Sequence, residues 1–439
     1  MPQTLRTIPR GKIHLLALFF CAASGMAAAA TLCVNPAGKA GCLSTISAAV
    51  AAASPGDTIR VAQGIYKEQV TITKALALKA DEFALPVIDA TGLPNGILID
   101  GMSAAPKAGV GNVSVSGFKI HNANFEGILI INGTDVTIAG NHVLDNNKAL
   151  NVGAGMCPGI DVAFETNEQM DCGEGIHLMA TNHSDIRHNE VDGNSGGILT
   201  TDETGPSREN LISNNYVHDN PFACGITMAS HPPATSVIPT AKVAFGIFHN
   251  TVANNESAHN GLGTPGAGAG VGIFAAGPGN TSTGNVIIGN KLHDNGLPGV
   301  TMHNHGSAPS PAPAVNLNDN VIIGNKIAGN AADTEDAATS GPTGINIYST
   351  APVYGTVITE NIFEDEAIDI AFKAPVGRIS AHFNDFDTVR IGVDNLGAGS
   401  VNATDNWWHC PAGPGGKSCA TVVGPGVDFT PWLTHPLED

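Results

Sequence analysis

Short apolar strands broken by asparagine and glycine recur through the middle of the chain, and the spacing of their hydrophobic positions predicts the fold. An Asn-x-apolar-x-x-Asn element runs from Asn141 to Asn146 and again from Asn189 to Asn194, Asn215 to Asn220, Asn250 to Asn255, Asn290 to Asn295 and Asn325 to Asn330. A further copy begins at Asn361 and carries Glu366 in the last place. Between and after them come Gly-apolar-x-apolar strands: Gly175-Ile-His-Leu178, Gly197-Ile-Leu-Thr200, Gly225-Ile-Thr-Met228, Gly272-Ile-Phe-Ala275, Gly299-Val-Thr-Met302 and Gly344-Ile-Asn-Ile347. An earlier copy is Gly127-Ile-Leu-Ile130, and a later one without glycine is Ala367-Ile-Asp-Ile370. The shortest interval between copies is 22 residues, and self-similarity at about 20–30 residues is the signature of a stacked solenoid. Each turn lays one copy about 4.8 Å above the last. Asparagines at the bends are expected to take left-handed backbone and to bond one another up the stack.

The apolar positions of each Gly-apolar-x-apolar strand point into the coil and the x positions point out. Long insertions enter or leave this strand between Asn147 and Glu174, His231 and Ala241, Glu256 and Gly270, Ser307 and Ala314, and Ala331 and Thr343. They are expected to stand as walls around one strand stack, which becomes the floor of a cleft. At the amino end, Ile46 to Ala53 reads as a short helix covering the first rung, since an uncapped stack exposes a sheet edge.

These residues make the chain resemble the right-handed parallel β-helix proteins of the pectin-lyase-like superfamily. The resemblance extends to the lead-in, Ser44-Thr-Ile-Ser-Ala-Ala-Val50 through Ser54-Pro-Gly-Asp-Thr-Ile59 and Gly64-Ile-Tyr66 to Val70-Thr-Ile72, and to the closing Asn406-Trp-Trp408, Gly413-Pro414 and Pro431-Trp-Leu433. It implies an all-β, single-stranded right-handed parallel β-helix with a short N-terminal capping helix. The expected division is a signal peptide over 1–30, a cap over about 31–60, rungs over about 61–396 and a closing segment over about 397–439. It also implies a secreted carbohydrate-active protein, a polysaccharide lyase, epimerase or hydrolase. The superfamily's polygalacturonate hydrolases show Asn-Thr-Asp, Asp-Asp and Gly-His-Gly elements, where this chain has Thr200-Thr-Asp202, no Asp-Asp and Asn304-His-Gly306. The Asp-Pro-His element of the C5-epimerases is absent as well.

Charge and cysteines narrow the setting. Residues 1–30 read as a secretory leader, with Arg6, Arg10 and Lys12 ahead of an apolar run from Leu15 to Ala23 and small residues at Ala28-Ala-Ala30. Without it the 20 basic residues fall to 17 against 39 acidic ones, a formal charge of −22. With no basic run, nucleic acid is not an expected partner, and no later segment is apolar enough to span a membrane. A secreted or periplasmic monomer acting on a polysaccharide is expected. Three local disulfides are expected, Cys33–Cys42, Cys157–Cys172 and Cys410–Cys419, leaving Cys224 as a buried small apolar residue.

Outward positions on the floor concentrate polar groups. The first row reads Leu129, His177, Leu199, Thr227, Phe274, Thr301, Asn346 and Asp369; the second includes Thr201, His303 and Tyr348; the third includes Glu203, His231, His305 and Lys373. The densest constellation is Asp202 with Glu203, His231 one rung on, and His303 with His305 two rungs beyond. Such a set supplies acid and base or holds a divalent metal, with Ca²⁺ or another divalent ion as the cofactor this admits. Capping of backbone groups where strands enter proline-rich loops is the bland alternative. The superfamily's eliminating enzymes use a basic side chain to take the C5 proton of a uronate, a role open to Lys373. His177, Phe274, Asn346, Tyr348, Asp369 and Arg378 are the candidate sugar-binding residues. His218-Asp219 and His293-Asp294 recur at one place in the repeat and read as solvated turns. Asp333, Glu335 and Asp336 form an acidic loop beside the floor. The rivals to an enzyme are a glycan-binding scaffold and a periplasmic metal-handling one.

Overall fold

The computed structural model describes residues 29–105, 108–148, 173–235, 238–263, 268–304, 315–334, 338–386 and 390–437. Residues 1–28 of the expected leader, Cys157, Cys172, His305, Glu335 and Asp336 lie outside them. Among the described residues, the chain winds through three long parallel sheets of 14, 11 and 12 strands. One coil shows the order. Thr137–Ala139 lies in the 14-stranded sheet, His142–Leu144 in the 11-stranded sheet and Ile176–Met179 in the 12-stranded sheet, after which Asp185–Arg187 returns to the first.

Register follows from stacking the apolar positions. In the 12-stranded sheet Ile128, Ile176, Ile198, Ile226, Val271, Val300, Ile345, Ile370 and Val393 lie above one another. All are 0 or 1% exposed, and each contributes about 1.5–3 kcal/mol of burial. The amino end is covered by one helix, Ile46–Ala52, which buries Ile46, Ala49 and Val50. Its first turn is fixed by Thr45, whose hydroxyl accepts from Ala48 N, and by the Glu68 carboxylate, which accepts from the backbone N–H groups of Ile46 and Ser47 at 2.8 Å. At the far end Trp408 is wholly buried with its ring 4.8 Å from that of Phe386. Disulfides Cys33–Cys42 and Cys410–Cys419 are formed. Among the described residues no helix is long and apolar enough to cross a membrane.

The corners correct the reading of the asparagines. Asparagines stand at three corners of the coil, five residues apart, as in Asn210, Asn215 and Asn220 or Asn285, Asn290 and Asn295. One ladder runs Asn141, Asn189, Asn215, Asn255, Asn290, Asn325, Asn361, Asn384 and Asn406, each amide bonded to the next. A second runs from Asn146 through Asn194, Asn220, Asn260, Asn295 and Asn330 to Glu366, and a third links Asn210, Asn250, Asn285 and Asn320. The copy read as Asn250 to Asn255 therefore brackets a strand of the 14-stranded sheet, Thr251–Ala253, whereas its counterpart in the 11-stranded sheet is bracketed by Asn255 and Asn260. An unbroken five-residue spacing permits either frame. The left-handed residue is also the one before each ladder asparagine: His188, Asn214 and Asn254 in the first ladder and Asp145, Asp219 and Asp294 in the second have φ between 53° and 55°. The ladder asparagine is thereby left to bond upward and downward.

Candidate active site

Register places the outward residues of the 12-stranded sheet. One row stacks Leu129, His177, Leu199, Thr227, Gly272, Thr301, Asn346, Ala371 and Asp394. The next stacks Ala229, Phe274, His303, Tyr348 and Lys373. Phe274 thus belongs with His303 and not with Thr227, because Gly270-Val-Gly-Ile273 contains the Gly-apolar start twice and the first copy is the one in register. Likewise Asp369 is not an outward floor residue. With Ile345 opposite Ile370, it occupies the place held by Gly299 and Gly344 on the rungs below, and it is wholly buried.

Glu203 and His231 meet. Asp202 and Glu203 follow the strand Ile198–Thr201, His231 follows Ile226–Ser230, and the two strands pair. His231 Nδ1 lies 3.1 Å from Glu203 Oε1, with both side chains 2% exposed. Burial pushes the Glu203 carboxyl up, but the hydrogen bond and charge of His231, the charge of His177 and a hydrogen bond from Thr201 outweigh it and hold it below the usual range. With Nδ1–H donated to Glu203, Nε2 becomes the nitrogen that can take a proton.

Asp202 has a different task. Its carboxylate accepts from His231 N at 2.7 Å, Ser230 Oγ at 3.0 Å and Gly246 N. It therefore ties together both ends of the 231–246 segment and fixes the backbone that presents the His231 ring. Burial and the neighbouring Glu203 charge push Asp202 up to about 7, against the pull of its backbone donors.

A buried trio adjoins this pair. Glu126 and Glu174 precede Gly127 and Gly175 on consecutive rungs, with Gly127 N donating to Glu174 O. Together with His177 they bring ligand atoms within 4.8 Å of one another, all three residues being buried. His177 Nε2 lies 2.9 Å from Thr201 Oγ1, and Nδ1 lies 3.6 Å from Glu126 Oε1. Glu126 and Glu174 were not among the residues picked from the sequence, although Glu-Gly-Ile on two successive rungs was a visible signal. Among the described residues one other trio has such spacing, His142, Glu190 and Asp192 on the 11-stranded sheet, and it is partly exposed. There the Asp192 hydrogen bond raises the His142 pKa.

The remaining candidates separate by position. The rings of Phe274 and His303 are 4.4 Å apart, and Lys373 Nζ sits 5.4 Å from the Tyr348 ring centroid. Phe274, Tyr348 and Lys373 are half-buried and open in part to solvent. Asn346 is wholly buried and donates to Asp333 Oδ2 at 2.5 Å, so the expected sugar-binding amide is turned into the protein. Arg378 lies in the strand Gly377–His382 of the 14-stranded sheet, opposite Tyr354, and is exposed. The chain has already turned the corner after Lys373, which takes Arg378 away from the floor. Cys224 is buried beside Ala269 and Leu297, its Sγ accepting from Ala269 N. His218 and His293 hydrogen-bond to Asp219 and Asp294, whose carboxylates are more than half exposed.

Residues 95–240 match the family model described as right handed beta helix region. In fold the chain is similar to the Dettilon tailspike protein (gp208), with TM-score 0.55 at 14% identity over 85% of this chain and 62% of that one. The chain folds as a right-handed parallel β-helix. It spans less than two thirds of the tailspike chain. Weaker likenesses include DFA-IIIase from Arthrobacter chlorophenolicus A6 without its lid, at TM-score 0.47 and 13% identity over 86% of this chain and 89% of that one. Another is the alginate lyase from Paenibacillus sp. str. FPU-7, at TM-score 0.42 and 13% identity over 76% and 95%. No curated protein matches the sequence. At these identities the likeness speaks to the β-helix alone.

Proposed function

We propose that this β-helix acts on a polysaccharide along the outward face of its 12-stranded sheet, with Glu203 and His231 as the acid–base pair. The observation that carries this is the 3.1 Å contact between a buried carboxyl held below its usual range and an imidazole one rung above it. Low solvent access strengthens such a pair electrostatically. Phe274, His303 and Tyr348 continue the same face and offer rings to sugar surfaces, and Lys373 ends the row with a cation suited to a uronate carboxylate. Hydrolysis by two carboxyls needs a second acid across the bond, and Asp202 is occupied by backbone donors. Proton abstraction is therefore the chemistry these groups support.

In that route His231 Nε2 takes the proton from the carbon beside the uronate carboxylate. The released electron pair forms a C=C bond as the glycosidic oxygen on the next carbon leaves and is protonated, or the carbon is reprotonated from its other face. Four rung spacings, about 19 Å, separate His231 from Lys373, so Lys373 serves a different sugar position and is a binding residue rather than the base. The two disulfides fit an oxidising compartment outside the cytoplasm.

Mass spectrometry of products from a panel of neutral and uronate polysaccharides tests this. Shortened chains with unsaturated ends, or inverted uronates by NMR, are expected from the wild type and not from His231→Ala. Saturated hydrolysis products, or no change in any polymer, would overturn it. A scaffold that binds glycan without turnover is the second reading, favoured by the 2% exposure of both Glu203 and His231 side chains.

A further inference from the structure

We propose that Glu126, Glu174 and His177 form a binding site for one divalent transition-metal ion of the zinc class. This goes beyond the glycan reading and does not depend on it.

The argument starts from the cost of what is buried. Glu126 is 0% exposed, Glu174 2% and His177 0%. The Glu126 carboxyl, wholly removed from water with its ligand atom within 4.8 Å of those of Glu174 and His177, needs a compensating charge. Neither carboxylate oxygen of Glu126 has a hydrogen-bond partner among the described residues, and His177 Nδ1, 3.6 Å away, is too far to donate. A dication held among the three ligand atoms supplies that charge.

Distances agree as well. A tetrahedral ion about 2.0–2.2 Å from each donor holds those donors about 3.3–3.6 Å apart. The 3.6 Å between Glu126 Oε1 and His177 Nδ1 falls in that range. One nitrogen and two carboxylate ligands select zinc or a similar first-row ion over Ca²⁺ and Mg²⁺, which favour all-oxygen shells. Sequence supports the design, since the two acids occupy the same place on neighbouring coils while the next coils carry Gly196 and Cys224 there.

The test is metal content measured by inductively coupled plasma mass spectrometry after chelator stripping and dialysis against Zn²⁺. About one zinc per chain is expected in the wild type and in Glu190→Gln/Asp192→Asn, which removes two ligands of the partly exposed trio. Glu126→Gln/Glu174→Gln should lose it with an unchanged circular dichroism spectrum. The single isosteric change Glu126→Gln guards against misfolding of the double variant and should weaken zinc binding by more than about 10-fold, the loss that removing even an outer-shell partner causes. Cobalt(II) should give visible d–d bands in the wild type that are missing from the double variant. Zinc retained equally by the wild type and the double variant, or lost only in Glu190→Gln/Asp192→Asn, or no zinc held by the wild type, would overturn the proposal.

Discussion

The asparagine corners and the outward face of the 12-stranded sheet are made by the same winding chain, yet one repeats and the other does not. At the corner, every amide does the same work. Asn215 Nδ2 donates to Asn255 Oδ1 at 3.0 Å and to Ile186 O at 2.8 Å, and its oxygen accepts from the backbone N–H and the amide of Asn189, both at 3.0 Å. All four hydrogen-bonding positions of the side chain are filled. On the floor face, among the described residues, His177 stands between Leu129 and Leu199, His303 between Phe274 and Tyr348, and Lys373 on Tyr348, so no imidazole or charge is copied to the next rung of its stack. A solenoid copies what holds it together, and departures from the copy are where charge is buried for another purpose.

The comparison can be broken at either region. The largest effect is expected at the site: His231→Ala should lower turnover by about 10²- to 10⁴-fold, measured as kcat/KM on the polymer that gives products. At the corner, Asn255→Leu removes the acceptor of both Asn215 N and Asn215 Nδ2. It should cost about 3–5 kcal/mol in urea unfolding, from two orphaned buried donors at about 1–3 kcal/mol each plus the bonds Asn255 itself gives.

The end of the second ladder sharpens the contrast through pH. Glu366 replaces asparagine there, accepts from Asn330 N and Nδ2, and is pushed up to about 7 by burial. Because its folded pKa lies above the ordinary carboxyl value, its contribution is fully present below about pH 4.5 and is lost as pH rises through about 7. Glu366→Gln keeps the accepting oxygen without the charge. It should match the wild type in unfolding free energy at pH 4.5 and exceed it at pH 8 by up to about 3 kcal/mol. Asp202, raised to about 7 as well, leaves a residual slope in the same window. The smallest effect is expected from Tyr348→Ala, which should weaken glycan binding by about 1 kcal/mol, read by isothermal titration with a fixed catalytic background.

How far sequence reached differs between the two regions for the same reason. Repetition made the fold legible: the Gly-apolar strands, the helix at Ile46 and two described disulfides were all readable because many copies, or a local pair of cysteines, state one rule. Frame was less legible, since Asn250 and Gly272 each satisfy two registers and only pairing with neighbouring coils decides. The Glu203–His231 contact followed from counting rungs, because both lie just past strands that stay in phase. Glu126 and Glu174 were passed over because they precede the glycine and lie outside the alternation that was read outward. Arg378 and Asn346 show the converse: a corner and a neighbouring carboxylate, neither visible in one strand's pattern, turn a suitable side chain away from the groove.

The most direct test of the account is a parallel measurement of product formation by the wild type and Glu203→Gln on a uronate polysaccharide, with the urea midpoint recorded for both. The account predicts that Glu203→Gln loses turnover by at least about 100-fold while its midpoint stays close to that of the wild type. Undiminished product formation by Glu203→Gln, or no product from the wild type on any polymer, would contradict it.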